Sequence, residues 1–247
     1  MTDQQPGSST PARALEILSE GEITLQGLIP WSSNATLLVA VQHGRVQTFA
    51  IYKPQRGETP LWDFPHGTLG NREVAAYLAC EAAGWGLVPP TVLREGPYGL
   101  GSVQLLVRAR EDAHYFTIRD AGTHAWDLMR LAAFDAVANN ADRKAGHCLL
   151  DPEGRLWAID NALTFHVDPK LRTVIWDFAG QPLPGRIRDD LGRLLEALQA
   201  AAPLGRALSS LLSAGELSAF GARVRQLIQT GRFPDPGPGR AVPWPLV

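Results

Sequence analysis

Cysteine and lysine are both scarce in this 247-residue chain. Two cysteines, Cys80 and Cys148, cannot make a disulfide framework, and they read as buried free thiols in a reducing cytoplasm. Only three of the 23 basic residues are lysines: Lys53, Lys144 and Lys170. Arginine therefore does most of the cationic surface solvation, and each lysine is expected to have a specific reason. An excess of positive charge is also missing: the net charge is −2, which gives no electrostatic case for nucleic acid or an anionic membrane. No apolar run is long enough to span a bilayer. The opening MTDQQPGSSTPA has neither the basic start nor the apolar block of a signal peptide. There is no GxxxxGK[ST], which excludes a P-loop nucleotide site. The glycines of EGPYGLGS, at 96, 99 and 101, come in the wrong order for a dinucleotide fingerprint and precede a strand, so they read as a turn.

What is present can bury a core: 45% of residues are hydrophobic and 19% charged. Residues 1–12 read as a flexible tail and 13–20 as a short helix. Three strand-like runs follow, 23–28, 35–42 and 46–52, the last two joined by a turn at His43-Gly44-Arg45. A Pro- and aromatic-rich loop leads to Asn71, read as the cap of a helix from 72 to 83. Two more strand-like runs, 91–94 and 101–107, flank the glycine turn. Beyond them 123–138 carries apolar residues at helical spacing (Trp126, Met129, Ala133, Phe134, Val137). A short hairpin at 148–159 turns around Pro152-Glu153-Gly154, and 186–201 and 214–230 read as amphipathic helices. Residues 233–247 are Pro-rich; they could dock on the domain or bind a partner, and a passive extended tail is the plainer reading. The order is strands plus one helix, then helices around one hairpin. This is a segregated α+β plan with a β-rich first lobe at 13–107 and a mainly helical second lobe at 108–232. Residues 104–110 would cross between the lobes, where a ligand cleft is usual.

Four polar residues stand out against this plan. Lys53 ends the apolar strand FAIYKP, and Glu73 opens the next helix. A buried ammonium needs a carboxylate, and Glu73 is in place to supply it. Asp142 follows the long helix within NNADRKAGHCLL, and Asp160 follows the strand LWAI. The hairpin between the two aspartates brings its ends together, so both acids should face one cleft opposite Lys53. Phosphoryl transfer asks for such a set: a lysine on the phosphates of ATP, a carboxylate fixing that lysine, an aspartate for Mg²⁺, and another to orient or deprotonate the attacking hydroxyl. Taken singly, each has a plainer reading. Lys53 is then a strand-end lysine, Glu73 a favourable acid at a helix start, Asp142-Arg143 a loop with a weak local ion pair, and Asp160-Asn161 a turn. Their joint order favours the functional reading.

The stretches SSNAT (32–36), FAIYKP (49–54), REVAAYL (72–78), GSVQLLV (101–107), NADR (140–143) and AIDNALTF (158–165) resemble those of the phosphatidylinositol 3-/4-kinase-like group. The likeness points to bacterial relatives of the type II phosphatidylinositol 4-kinases and covers roughly residues 22–180. It implies a two-lobed protein-kinase-like fold, ATP and a divalent metal. It also implies that Ser32, Ser33 and Asn34 lie over the phosphates, that Lys53 and Glu73 pair, and that Gln104, Leu105, Leu106 and Val107 form the adenine-binding hinge. Asp142 becomes the catalytic aspartate and Asp160 the metal ligand. Where many relatives carry an Asn as second metal ligand, this chain has His147, which suits Mn²⁺ better than Mg²⁺. A membrane-anchoring cysteine cluster and a basic amphipathic helix are both missing, so a lipid substrate has no support from the sequence.

The reading is a cytoplasmic, ATP- and metal-dependent kinase whose hydroxyl acceptor (protein, small molecule or lipid) the sequence does not name. Two alternatives stay open: a pseudokinase or regulatory nucleotide-binding module on the same fold, and a metal hydrolase using Asp142, His147, Asp160 and His166.

Overall fold

The computed structural model describes residues 10–29 and 35–247. Of the expected tail, residues 1–9 lie outside the described residues, while residues 10–12 cap and begin a helix. The chain divides into two compact units, one of Met1–Val74 and Pro89–Leu106, the other of Ala75–Val88 and Val107–Val247.

The first unit starts with α1 (Pro11–Glu20), whose N-cap Thr10 accepts from the Arg13 N–H and whose first helical position is Pro11. Five strands follow: β1 (Glu22–Leu28), β2 (Leu37–His43), β3 (Val46–Pro54), β4 (Thr91–Gly96) and β5 (Gly99–Leu105). They form one antiparallel sheet in the order β1-β2-β3-β5-β4. Alternation decides the core face. Leu37, Val39 and Val41 of β2, Ala50 and Tyr52 of β3 and Val103 of β5 point inward and meet Ile17 and Leu18 of α1. Each of the Val, Leu and Ile side chains among them contributes roughly 1.5–3 kcal/mol by leaving water. The glycine turn is the β4–β5 hairpin, and the residue after it has a packing role. A Cβ on Gly101 would come within 2.5 Å of the Lys53 carbonyl and 2.6 Å of the Tyr52 ring, so only glycine lets β5 lie this close to β3.

The helix expected from 72 is α2 (Leu69–Ala82), which begins three residues earlier. Its first free N–H groups, on Leu69 and Gly70, donate to the Glu58 carboxylate at 3.1 and 3.3 Å. A cap supplied from eleven residues upstream leaves no local signature, which is why Asn71 looked like the start.

The second unit holds α3 (Tyr115–Ala121), α4 (Ala125–Ala138), the hairpin β6 (Cys148–Leu150) and β7 (Leu156–Ala158), α5 (Gly185–Ala197), α6 (Pro203–Ser209) and α7 (Ala214–Thr230). The separate α3 and α6 were not expected; each is seven residues long, too short for a periodic pattern. α7 starts at a Ser213/Glu216 capping box and ends at left-handed Gly231. It packs on α4 and α5. Phe220 of α7 meets Phe165 edge-on at 5.0 Å between ring centres. The buried face of α4 is Leu128, Leu131, Phe134 and Val137, with Trp126 and Met129 only half-buried.

The Pro-rich segment 233–247 is not a passive tail. It is seated along its own unit: Phe233 stacks near Phe178, Pro243 is buried, and the carbonyls of Ala241 and Leu246 accept hydrogen bonds from Thr173 and Ala145. The free thiols of Cys80 and Cys148 are fully buried, and burial pushes them up to about 11 and about 12.

Candidate active site

In the first unit the Lys53 ammonium lies 2.6 Å from Glu73 Oε1. The carboxylate is 2% exposed and the lysine 24%, so a buried acid holds a cation whose face stays reachable from solvent. β3 positions Lys53: Tyr52 turns into the core, and the next residue must point the other way. Glu73 sits in the second turn of α2 and is aimed by that helix. Ser32, Ser33 and Asn34 lie outside the described residues. In the expected hinge, Gln104 is buried and its side chain donates to Thr91 Oγ1 at 2.9 Å. The Leu105 and Leu106 N–H groups donate to the carbonyls of Pro90 and Phe49. These bonds anchor the segment that leads to Val107.

In the second unit the two aspartates are placed by a residue that looked incidental. Arg143 is fully buried. It donates to both carboxylate oxygens of Asp135 at 3.0–3.2 Å, to Asn161 Oδ1 at 2.6 Å and to the Ile159 carbonyl at 2.7 Å. Asp135 also accepts from Asn140 Nδ2 at 3.1 Å. One guanidinium thus ties the residue after Asp142 to the residues on both sides of Asp160, so the β6–β7 hairpin ends are clamped together. Asp142 is part-buried, and its backbone N–H donates to Asn140 Oδ1 at 2.9 Å. Its carboxylate faces Lys144 Nζ at 3.2 Å. Burial raises the Asp142 pKa above the usual carboxylate range, Lys144 works against that rise, and the nearby charge of Asp160 adds to it. Asp160 itself adopts a left-handed backbone, φ 56°, and is 45% exposed at its side chain.

His147 Nε2 lies 3.4 Å from Asp160 Oδ2, while its Nδ1 accepts from the Lys144 N–H at 3.3 Å. A neutral imidazole bonded this way carries its proton on Nε2, facing Asp160. To serve as the metal ligand expected from the sequence, it must trade that arrangement for a lone pair at the same atom. The hydrolase set does not gather. Among the described residues, the group of three or more side chains close enough to share one metal is Glu16, Glu20 and His43. His166 instead accepts from the Asp168 N–H through Nδ1.

Sequence reasoning missed Asp135, Asn140, Arg143, Lys144 and Asn161 as parts of this site. Two signals were available. Asp135 falls on the apolar face of α4, one turn from Leu131, where an acid needs a buried partner. Lys144 is one of the three lysines.

Comparison with known proteins bears on the fold. No protein-family model matches the chain. It is 37% identical over 262 residues to Protein Rv2133c of Mycobacterium tuberculosis, covering 93% of this chain and 94% of the relative. The chain belongs to the Rv2133c family. Among solved structures it is similar to hydra Fam20 with sugar, with a TM-score of 0.54 at 15% identity over 94% of this chain and 91% of that one. It is similar to the Helicobacter pylori proinflammatory kinase CtkA, with a TM-score of 0.54 at 9% identity over 87% and 94%. The Golgi casein kinase with Mn/ADP bound gives a TM-score of 0.54 at 11% identity over 89% and 74%. The Rv2133c-family chain therefore has an α+β, two-lobed protein-kinase-like fold.

Proposed function

We propose that this chain is an ATP- and divalent-metal-dependent phosphotransferase that moves the γ-phosphate to a hydroxyl. The observation that carries the reading is the 2.6 Å pair of Lys53 with buried Glu73, on a fold shared with kinases. A lysine whose charge is already met by a buried acid is held in one place, and positioning is most of what phosphoryl transfer needs. In this reading Lys53 holds the phosphates, Ser32, Ser33 and Asn34 close over them, and Gln104, Leu105, Leu106 and Val107 form the hinge. With the Leu105 and Leu106 N–H groups committed to the sheet, the adenine-facing donor falls to Val107. Asp142, held half-buried with a raised pKa, is the group that orients and accepts the acceptor's proton.

Asp160 offers an exposed hard oxygen donor, which fits Mg²⁺ or Mn²⁺ shared with phosphate oxygens and water; His147 beside it favours Mn²⁺. The metal would neutralise charge on the phosphates. The solved Golgi casein kinase carries Mn/ADP, which agrees with this assignment. The stretches that resemble those of the phosphatidylinositol 3-/4-kinase-like group are in keeping with the same roles. The two buried thiols fit a reducing cytoplasm, and no described helix is long and apolar enough to cross a membrane.

The test is thermal. ATP with Mg²⁺ or Mn²⁺ should raise the melting temperature, Asp160→Ala should remove the metal-dependent part, and Asp142→Ala should keep binding while abolishing transfer. Absence of any nucleotide-dependent shift would end this reading. A nucleotide-binding module without turnover is the second reading; His147 in place of a second oxygen ligand favours it, and retained ATP binding without phosphate release would establish it.

A further inference from the structure

Residues 241–246 run against the loop that carries Asp142. The Ala145 N–H, three residues from Asp142 and fully buried, donates to the Leu246 carbonyl at 2.7 Å. The segment after Asp160 is held from both sides. Arg172 and Val174 exchange backbone hydrogen bonds with Arg143 at 3.0 and 3.1 Å, and Thr173, between them, turns its N–H to the Ala241 carbonyl at 3.1 Å. Trp176 Nε1 donates to that same carbonyl at 3.0 Å. The order is therefore loop, segment, strap, each bonded through its backbone to the next. With the strap in place Ala145 is fully buried and Thr173 is 3% exposed, and both N–H groups take their acceptors from it.

Two observations say what the strap does. Residues 233–247 contain no Ser, Thr or Tyr, so the strap cannot itself accept phosphate on a hydroxyl. The Asp142 side chain stays 28% exposed with the strap in place, so the strap does not seal it.

We infer that residues 241–246 are a positioning strap for phosphate transfer, in which the Leu246 carbonyl sets the Asp142 loop through Ala145 and the Ala241 carbonyl sets the 173–176 segment. The inference rests on the phosphotransferase reading above. It predicts that one backbone acceptor, not an apolar side chain, matters at position 246.

The experiment stops the chain after Pro245, removing Leu246 and Val247, which are 39% and 63% exposed. Ala145→Pro removes the same bond from the donor side, at the first position of a short helical turn, and its ring takes the place of the Leu246 carbonyl, so it displaces the strap end as the truncation does. Val247→Ala is the control. Turnover of ATP in the presence of Mn²⁺, KM for ATP, melting temperature and amide exchange at 142–150 are measured on each. Loss of one hydrogen bond should lower kcat about tenfold with KM for ATP within about twofold, and speed exchange at 142–150 by a similar factor. Ala145→Pro should match the truncation, and the two together should be no worse than either. Unchanged exchange after truncation overturns the strap, whatever the activity. A raised kcat overturns it in favour of a blocking segment. Equal loss in kcat and in ATP affinity, with a lowered melting temperature, overturns it in favour of a purely structural anchor. A full-length chain that binds no ATP overturns the phosphotransferase reading instead, and the exchange measurement still decides whether the strap holds the loop.

Discussion

Arg143 and Asp135 form a doubly hydrogen-bonded ion pair in which neither side chain has any exposed surface. Breaking it from the arginine side leaves Asp135 a buried charge with no water and no countercharge, held only by Asn140 and Thr173. Arg143→Ala should cost about 3–5 kcal/mol in urea unfolding. Replacing both by Met and Leu should cost far less than the sum of the single changes, because no lone charge remains. A single Arg143→Ala within about 1 kcal/mol of wild type would show that the clamp is not what holds the hairpin ends.

The Lys53–Glu73 pair is predicted to matter for chemistry more than for stability, because the lysine is partly solvated. Lys53→Met should lower phosphate transfer by roughly 10²-fold or more, as loss of a single electrostatic contact to a transition state does. The nucleotide-induced melting shift should shrink in parallel. Circular dichroism should stay that of the folded protein.

Asp142 gives a prediction with a sign. Its pKa is raised in the fold, chiefly by burial, so the folded chain holds that proton more tightly than the unfolded chain does. Its contribution to stability is therefore present at low pH and is lost as pH rises from the ordinary carboxylate range through the raised folded value. At neutral pH the ionised group costs stability. Asp142→Asn should melt at or above the wild-type temperature at pH 7, and that advantage should shrink below pH 4. Phosphate transfer should fall about 10²–10⁴-fold, the usual worth of a general base. A variant that loses stability at neutral pH would contradict the assignment.

His147→Asn substitutes an amide oxygen for an imidazole beside Asp160. The ratio of activity with Mg²⁺ to activity with Mn²⁺ should rise, since Mg²⁺ takes oxygen ligands in preference to nitrogen. An unchanged ratio would place His147 outside the metal's coordination, as a hydrogen-bond donor to Asp160 alone.

Legibility varied with the distance over which a signal acts. The strands of the first sheet, α4, the β6–β7 hairpin and α7 were readable because apolar alternation, 3.6-residue spacing and turn residues act within a few positions. The Lys53–Glu73 pairing was readable from charge logic across a single loop. The start of α2 was misread because its cap, Glu58, comes from eleven residues away. For 233–247 the sequence left docking and a passive tail both open and favoured the tail, because proline-rich composition says how a segment is built, not what its carbonyls meet.

The sequence by itself determined which residues could carry chemistry. Lysine is rare enough for Lys53 to stand out, and Asp142 and Asp160 flank one hairpin whatever packs around it. Only tertiary structure decided how the aspartates are held. A buried guanidinium reaches Asp135, Asn161 and Ile159 at once, and a distant strap meets the amide of Ala145. Such bonds are forced by burial, which leaves each polar group to find a partner wherever the fold brings one, and a linear string does not record that.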